Sequence, residues 1–561
     1  MKASFFTRRR LLAATAAVPL LAKVAPAVSG NPTLKVKEAD VVIVGYGAAG
    51  ASAAIEAADA GASVLILEKS PEASHCSTTR LSSGIYQCPD GVIDREILVD
   101  YICSTYLPDG AQLRKSSAMP SPLAQLARVW AELAPETFNW LRSLDPDFRT
   151  ASSPLFTISP FVKFWHGIKP HIHARIATYA QWSGFSFSTY KKPKSQSLSG
   201  EALYNCLHHG ILKRKIDILY SSPAKDLLVE NGVVRGVIVE RDGIEEVYTA
   251  KKGVILASGG FAFNKALRDR ILPAGAGEFV ACCGTPANTG DGISIGMKHH
   301  AAITRSHAFF DRFCVLLPEK IGGCRLGVPL EILGQPHTFV VDNAGNRFIA
   351  ESELQDAHQH YGFLETMLTS DGTGSNYPFA PFWCIIDRTA MTQLSIATLG
   401  EGSTVNGLID WKNNFDALQK NWVLEGKTIE DLARQIAAHP DNRNRMTPEA
   451  LTRSFNALNR FAREKNDRDF DRSPASLAVF DGGPYYAFPV SIDVPHMAAG
   501  LATDHNRQVL DTSGRVIPNL FAAGEVAPVS HYIHDRGGQL SECLVFGRFV
   551  GQYVAQKTEK S

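Results

Sequence analysis

Hydrophobic residues fall along this chain in two rhythms, one of short buried strands and one of helical stripes. Val41-Val-Ile-Val44 is a run of four branched apolar residues, and Ser63-Val-Leu-Ile-Leu67 is a second. Runs of this kind suit parallel strands covered on both faces. Between them lie Gly45, Gly47 and Gly50, followed by an alanine-rich segment whose composition predicts a helix from Ala51 to Ala60. Helical periodicity returns from Leu123 to Leu144, and Ser199-Gly200 leads into a helix ending near Lys213. Four stretches then read as short strands of a meander: 216–220, 224–229, 233–240 and 246–250, with turns at Asn231-Gly232 and Asp242-Gly243. Gly253-Val-Ile-Leu-Ala-Ser-Gly-Gly260 reads as another buried strand entering a glycine turn, one that returns the chain to the first sheet. Thr289-Gly-Asp-Gly292 opens a further helix. From about 300 to 490 the pattern changes to longer loops, with helices over 428–438 and 448–465, as expected of an inserted domain. Val516 to Glu525 again reads as a strand entering a glycine turn, and 541–555 as a helix.

The order strand, Gly-x-Gly-x-x-Gly, helix, strand and acid has a chemical meaning. The first glycine permits the bend and the second lets backbone approach a pyrophosphate. The third lets helix and strand pack closely, while the helix N-terminus offers N–H groups to the phosphates. Glu68 lies 23 positions after Gly45 and is placed to accept hydrogen bonds from ribose hydroxyls. Downstream, His75 to Gly84 is a small, hydroxyl-rich loop able to run backbone donors along a diphosphate.

Charge adds little to this picture and the first thirty residues add more. Lys+Arg 57 against Asp+Glu 56 leaves a net charge of +1, so no global field attracts nucleic acid or an acidic membrane, and the expected partner is a small molecule. Thr7-Arg8-Arg9-Arg10-Leu11-Leu12, a mildly apolar run to Ala22 and the small-residue site Ala25-Pro26-Ala27 resemble a twin-arginine export signal over residues 1–30. That run falls short of the roughly 20 residues that span a bilayer, and stable membrane insertion is not expected. The implied location is the periplasm or another exported compartment. Ten cysteines are scattered with no Cys-x-x-Cys and read as buried free thiols. No Cys-x-x-Cys-His occurs, and no metal site is expected.

With these pieces in place the sequence resembles the flavoprotein family that contains soluble fumarate reductases, urocanate reductase and 3-ketosteroid dehydrogenases. The resemblance runs over nearly all of 38–557 and rests on seven motifs in order. They are the first glycine turn, Leu256-Ala-Ser-Gly-Gly-Phe261, Thr289-Gly-Asp-Gly292, Asn346-Arg-Phe348, Gly483-Pro-Tyr-Tyr-Ala487, Phe521-Ala-Ala-Gly-Glu525 and Phe546-Gly-Arg548. It implies an α/β fold: a Rossmann-like FAD-binding domain in two parts, 31–284 and 493–561, with an α+β capping domain, 285–492, inserted between them. FAD would be held by Gly45, Gly47, Ala49, Gly50, Glu68, Lys69, Thr79, Ser83, Gly84, Ala224, Ser258, Gly259, Asp291, Glu525, Leu540 and Ser541.

The resemblance further implies hydride transfer between flavin N5 and one carbon of a C–C/C=C pair, with a proton passing at the neighbouring carbon and a polar clamp on a carboxylate or ketone. His496 matches a substrate-clamping histidine, Arg536 an arginine that grips a substrate carboxylate, and Glu331 the acid of a proton relay. Tyr486 aligns with a ketosteroid-branch tyrosine that polarises a carbonyl. Three positions depart from the fumarate-reductase pattern: Gln355 replaces the arginine acid, Gly334 a relay arginine and Thr285 a second substrate histidine. Glutamine has no ionisable proton to deliver. The expectation is an exported enoate reductase not specific for fumarate, drawing electrons from a separate cytochrome or quinone-linked partner. The alternatives are a 3-ketosteroid dehydrogenase-type desaturase and, in another class, a flavin-binding electron carrier without turnover.

Overall fold

A computed structural model describes residues 36–82, 84–89, 95–96, 98–99, 102, 121–152, 186–190, 199–241, 243–273, 275–304, 313–330, 332–351, 367, 370, 377–397, 409–480, 482–494, 497, 499–529 and 538–558. The calls at Ser83, Glu331, Gln355, His496 and Arg536, and the leader at 1–30, lie outside these residues.

The apolar runs assemble an eight-stranded sheet. Its centre is five parallel strands in the order Val516–Ala522, Ile244–Leu256, Val36–Val44, Val64–Leu67 and Asp217–Leu219. Val41, Val42 and Ile43 are fully buried, as a strand covered on both faces requires. The helix after the first glycine turn begins at Ala48, three residues earlier than its composition suggested, and runs to Asp59. It packs closely on the terminal helix Gly538–Gln556. A Cβ built at Gly551 would lie 2.2 Å from Ala53 O, so only glycine allows this approach. In this way the last part of the chain is locked to the first.

Three sequence expectations need correction. The segments 246–250 and 253–260 are one strand, Ile244–Leu256, antiparallel to Val233–Arg241 along its first half and parallel to Val36–Val44 along most of its length. Lys251 and Lys252 hid this continuity; the first pairs with Glu38 at 2.7 Å and the second donates to Ala555 O, so neither breaks the strand. Residues 216–220 contribute Asp217–Leu219, which joins the parallel sheet beside Val64–Leu67 and not the meander. Finally, the stripe from Leu123 to Leu144 is two helices, Ser121–Leu133 and Thr137–Leu144, separated by a tight turn over Ala134–Glu136. Pro135 in that turn lacks an N–H and cannot continue the helical ladder.

A second, seven-stranded sheet is built around Tyr485–Val494, whose residues are all buried. Antiparallel neighbours are Phe313–Ile321, Phe382–Ile386 and Leu424–Gly426, while Ala281–Cys282 joins it in parallel. The helices Ile429–Ala438 and Pro448–Glu464 start where the sequence placed them, each capped by a threonine, Thr428 to Asp431 N–H and Thr447 to Ala450 N–H. The expected boundary at 285 falls in a shared segment: Ala281–Cys282 belongs to this sheet, but the helix Asp291–Lys298 packs back on Ala224–Glu230. One continuous core joins the two sheets. The nine described cysteines are all free; Cys103 lies outside the described residues.

Inside the second unit four charges are buried together. Arg347 binds Glu351 through Nε and Nη2 at 3.0 and 2.9 Å and Asp467 through Nη2 at 2.6 Å, and Arg472 lies 3.3 Å from Glu351. Two arginines against two carboxylates leave no net charge, and Arg472 also donates to Thr338 O and Ser476 O. Removing one member strands its partners in a low dielectric. Arg347→Met is therefore expected to cost about 3–5 kcal/mol, read as an early unfolding transition in thermal or urea denaturation. An unchanged transition would mean that water reaches Glu351 and Asp467.

Candidate cofactor crevice

Every parallel strand of the first sheet ends at the same edge, and the expected cofactor residues stand on the loops that leave it. Val36–Val44 delivers Gly45, Val64–Leu67 delivers Glu68, Ile244–Leu256 delivers Ser258 and Gly259, and Val516–Ala522 delivers Glu525. Asp217–Leu219 leads on to Ala224, the half-buried first residue of the next strand. A crevice at the carboxyl edge of an open parallel sheet is where such folds bind ligands.

The first turn is closed by backbone contact. Gly45 has φ +105°, and a Cβ there would lie 2.5 Å from Ala257 O; a Cβ at Gly50 would lie 2.1 Å from Gly45 O. Gly47 caps the helix that begins at Ala48, with Ala49 in its first turn. Ala48 N–H donates to Thr79 Oγ1 at 2.9 Å, which brings the hydroxyl-rich segment onto the helix N-terminus. Residues Thr78–Leu81 form a short helix rather than a loop, and Gly84 N–H donates to Ser82 Oγ at 3.1 Å. Ser77 Oγ is buried with no hydrogen-bond partner, and a Cβ at Gly47 would lie 4.0 Å from Ser77 Cβ. An orphaned hydroxyl beside a helix N-terminus fits a bound phosphate oxygen.

Glu68 is buried and does more than sequence reading assigned to it. It accepts Tyr46 N–H at 3.0 Å and Ser70 N–H at 2.8 Å, so the acid holds the glycine turn while retaining acceptor capacity for a ribose. Around it stand rings that the sequence did not single out as a group. His75 stacks on Tyr46 with centroids 5.5 Å apart and reaches within 3.8 Å of Glu68, and Tyr46 OH meets His208 Nδ1 at 2.7 Å. Burial, partly offset by the Glu68 charge, lowers the His75 pKa, so the ring is neutral at physiological pH. Only the Tyr and His content at 46, 75, 204, 208 and 220 hinted at this cluster; contact between such distant positions leaves no local signal.

At the other end of the crevice, Lys69 donates to Thr289 Oγ1 at 2.6 Å and Asp291 at 2.8 Å, tying the second strand to the helix Asp291–Lys298. Ser258 Oγ accepts Gly292 N–H at 3.1 Å. Glu525 is largely buried; it accepts Met497 N–H at 2.8 Å and the Asn288 amide at 3.2 and 3.3 Å. Desolvation pushes its carboxyl up to about 7 against these hydrogen bonds. Asn288 Oδ1 is buried without a partner and, like Ser77 Oγ, is an acceptor left for a ligand. These orphaned atoms and the backbone cradle fit FAD: Ser77 and the turn at the phosphates, Glu68 at the ribose, Asn288 and Glu525 further along.

Not every expected residue joins this edge. Leu540 packs against the core from the first turn of the terminal helix. Ser541 Oγ is already engaged, accepting Trp130 Nε1 at 3.0 Å and donating to Gln87 O at 3.2 Å, so its hydroxyl serves the fold. Tyr486 is opposite Ile386 and Glu425, whereas Val494 at the other end of the same strand is opposite Cys282. Eight strand residues, roughly 26 Å at about 3.3 Å each, separate Tyr486 from the end nearest Met497 and Glu525. Its side chain is buried in the core that joins the two sheets. Thr285 O accepts Asn288 N–H, and Gly334 occupies a left-handed turn with φ +73°.

Glu525 makes a measurable statement about pH. In the unfolded chain it ionises near 4.5, but in the folded protein it keeps its proton to about 7. Its contribution is complete at acid pH and is lost as pH rises through that window, by about 3 kcal/mol. In FAD-free protein, Glu525→Gln should be insensitive to this loss, so the stability gap between variant and wild type should move in the variant's favour from pH 4.5 to 7. A gap that stays constant would mean that Glu525 is ionised in the fold.

Comparison with known proteins agrees with this geometry. Residues 40–540 match the family model described as FAD binding domain. The 3-oxosteroid 1-dehydrogenase of Mycobacterium tuberculosis (strain ATCC 25618 / H37Rv) is 25% identical over 609 residues, covering 94% of this chain and 100% of the relative. The fumarate reductase (cytochrome) of Shewanella frigidimarina is 23% identical, covering 93% and 78%. Among solved structures, 3-ketosteroid delta1-dehydrogenase from Sterolibacterium denitrificans, in complex with 1,4-androstadiene-3,17-dione, has a TM-score of 0.67 at 21% identity, covering 92% of this chain and 99% of that one; this likeness shows the fold. The chain belongs to the FAD-binding-domain flavoproteins and is an FAD-dependent oxidoreductase of the fumarate reductase and 3-ketosteroid dehydrogenase group.

Proposed function

We propose that this protein reduces the C=C bond of an unsaturated carboxylic acid other than fumarate, after export by its twin-arginine leader. The observation that carries the reading is the Glu525 cluster. Met497, the residue after His496, is bonded to Glu525, and the parallel strand Val516–Ala522 delivers that acid to the carboxyl edge. FAD, when bound, supplies the hydride. Glu68 and the glycine turn hold its adenosine end, and Asn288 and Glu525 offer acceptors to its hydroxyls. Arg536 grips the substrate carboxylate and His496 clamps the same substrate, stabilising charge that develops as the bond is reduced.

Gln355, Gly334 and Thr285 stand where the fumarate-reductase pattern has two arginines and a histidine, which supports a substrate other than fumarate. Electrons would arrive from a separate cytochrome or quinone-linked protein; among the described residues no helix is long and apolar enough to cross a membrane. Desaturation of a ketosteroid is the second reading. Similarity to the 3-oxosteroid 1-dehydrogenase over 94% of the chain favours it; the position of Tyr486 favours the first.

The two readings separate on a panel of enoates and enones offered to the photoreduced, FAD-loaded protein. Reoxidation by enoates supports the proposal, and reoxidation by enones alone overturns it. Arg536→Ala should lower kcat/KM for enoates by about 100-fold or more, with little change for neutral enones. Tyr486→Phe should leave turnover of both unchanged; a selective loss on ketones would return Tyr486 to the site. For export, replacing Arg8 and Arg9 by lysine should retain the folded protein in the cytoplasm, and unaltered secretion would remove the leader from the proposal.

A further inference from the structure

Arg507 is buried, and it uses through Nε and Nη2 the same guanidinium edge with which Arg347 grips Glu351. Here that edge meets two backbone carbonyls. Nε donates to Ala522 O at 3.1 Å and Nη2 donates to Ala527 O. Ala522 closes the strand Val516–Ala522, Ala527 follows the tight turn Gly524–Val526, and Glu525 stands between them. A guanidinium is planar, and the two N–H groups on this edge point the same way at a fixed spacing. It therefore sets the separation of the two ends of the turn, which a donor of one point cannot do.

Arg507 is itself held firmly. Ala522 N–H returns a hydrogen bond to Arg507 O at 3.0 Å, and Arg507 N–H donates to Asp504 O at 3.1 Å. Phe546 of the terminal helix lies under the guanidinium, its ring centroid 5.3 Å away. The backbone of Arg507 is left-handed, with φ +64°. Glycine or asparagine would adopt that conformation at lower cost, so the side chain is what the position retains. The turn it spans has little slack. A Cβ at Gly524 would lie 2.7 Å from Ala49 Cβ, one at Gly500 2.3 Å from Val526 O, and one at Gly260 2.2 Å from Glu525 Oε1.

We propose that Arg507 is a positioning residue for the flavin: by spanning the turn it holds Glu525 where Met497 N–H and the Asn288 amide meet it, and so fixes the acceptor that Glu525 offers to FAD. Met497 and Asn288 reach Glu525 from two other segments, so their bonds form only while the turn stays in place. The inference rests on the crevice as the FAD site and is independent of which double bond is reduced.

The test follows the release of FAD from the intact, loaded protein on dilution, by the rise of flavin fluorescence. Arg507→Lys keeps the charge but replaces the planar edge by one ammonium, and it should speed release by about tenfold or more. Glu525→Ala should also speed release. The two combined should release FAD no faster than Glu525→Ala alone, whereas Arg507→Lys combined with Glu68→Gln, at the adenosine end, should show the product of the single effects. A substitution that merely loosened the fold would multiply with both. Unchanged release in Arg507→Lys, or multiplication with Glu525→Ala, would overturn the role of Arg507 alone. Unchanged release in Glu525→Ala would overturn it together with the placing of Glu525 at the flavin. Should Arg507→Lys not fold, Arg507→Gln, uncharged and able to reach one carbonyl, decides by the same comparisons.

Discussion

Backbone meets backbone where the first strand turns into the first helix, and much of the molecule is arranged by that contact. Gly45 and Gly50 leave no room for a side chain beside Ala257 O and Gly45 O. Ala257 follows Ile244–Leu256, so the turn can close only if that strand lies parallel to Val36–Val44 in register through Val44 and Leu256. The same strand carries Val516–Ala522 on its other side, which sets Glu525 at the same edge. One steric constraint thus aligns three crossings separated by hundreds of residues, and the ligand crevice is the common end of the strands it aligns.

Two glutamates divide the electrostatic work along that crevice. Glu68 accepts two backbone N–H groups at the glycine turn and stiffens the place where phosphates would lie. Glu525 accepts the backbone N–H groups of Met497 and Gly260 and the Asn288 amide but has no cation beside it among the described residues, and desolvation keeps its carboxyl protonated into the neutral range. A protonated acid can donate as well as accept, which suits hydroxyl groups; an ionised one only accepts. The sequence places both acids after buried strands and does not distinguish them. The difference lies in neighbours such as Asn288, which arrives from another part of the chain.

Local chemistry was legible in the sequence, and long-range meeting was not. The glycine turn, its helix and Glu68 were readable because steric and polar demands fall within two dozen residues. The helices Ile429–Ala438 and Pro448–Glu464 were readable for the same reason. The unbroken strand Ile244–Leu256 was hidden by two lysines whose partners, Glu38 and Ala555, are far away in sequence. Ser541 reads as a free hydroxyl until Trp130 is brought to it by the terminal helix. Tyr486 and Val494 share one strand, and a motif cannot tell which of its ends reaches the crevice; only the pairing with Glu425 at one end and Cys282 at the other does.

Buried arginines in this chain follow one electrostatic rule with two outcomes. Arg347 faces the carboxyl groups of Glu351 and Asp467, which meet its charge directly, so the value of the cluster is structural. Arg268 has no carboxylate partner among the described residues, and its guanidinium is spread over Ala262 O, Val280 O and the sulfur of Cys282. Identical guanidinium groups are therefore met by paired charge in one place and by carbonyl dipoles and a sulfur in the other. What decides between them is which groups the sheet topology sets beside each arginine.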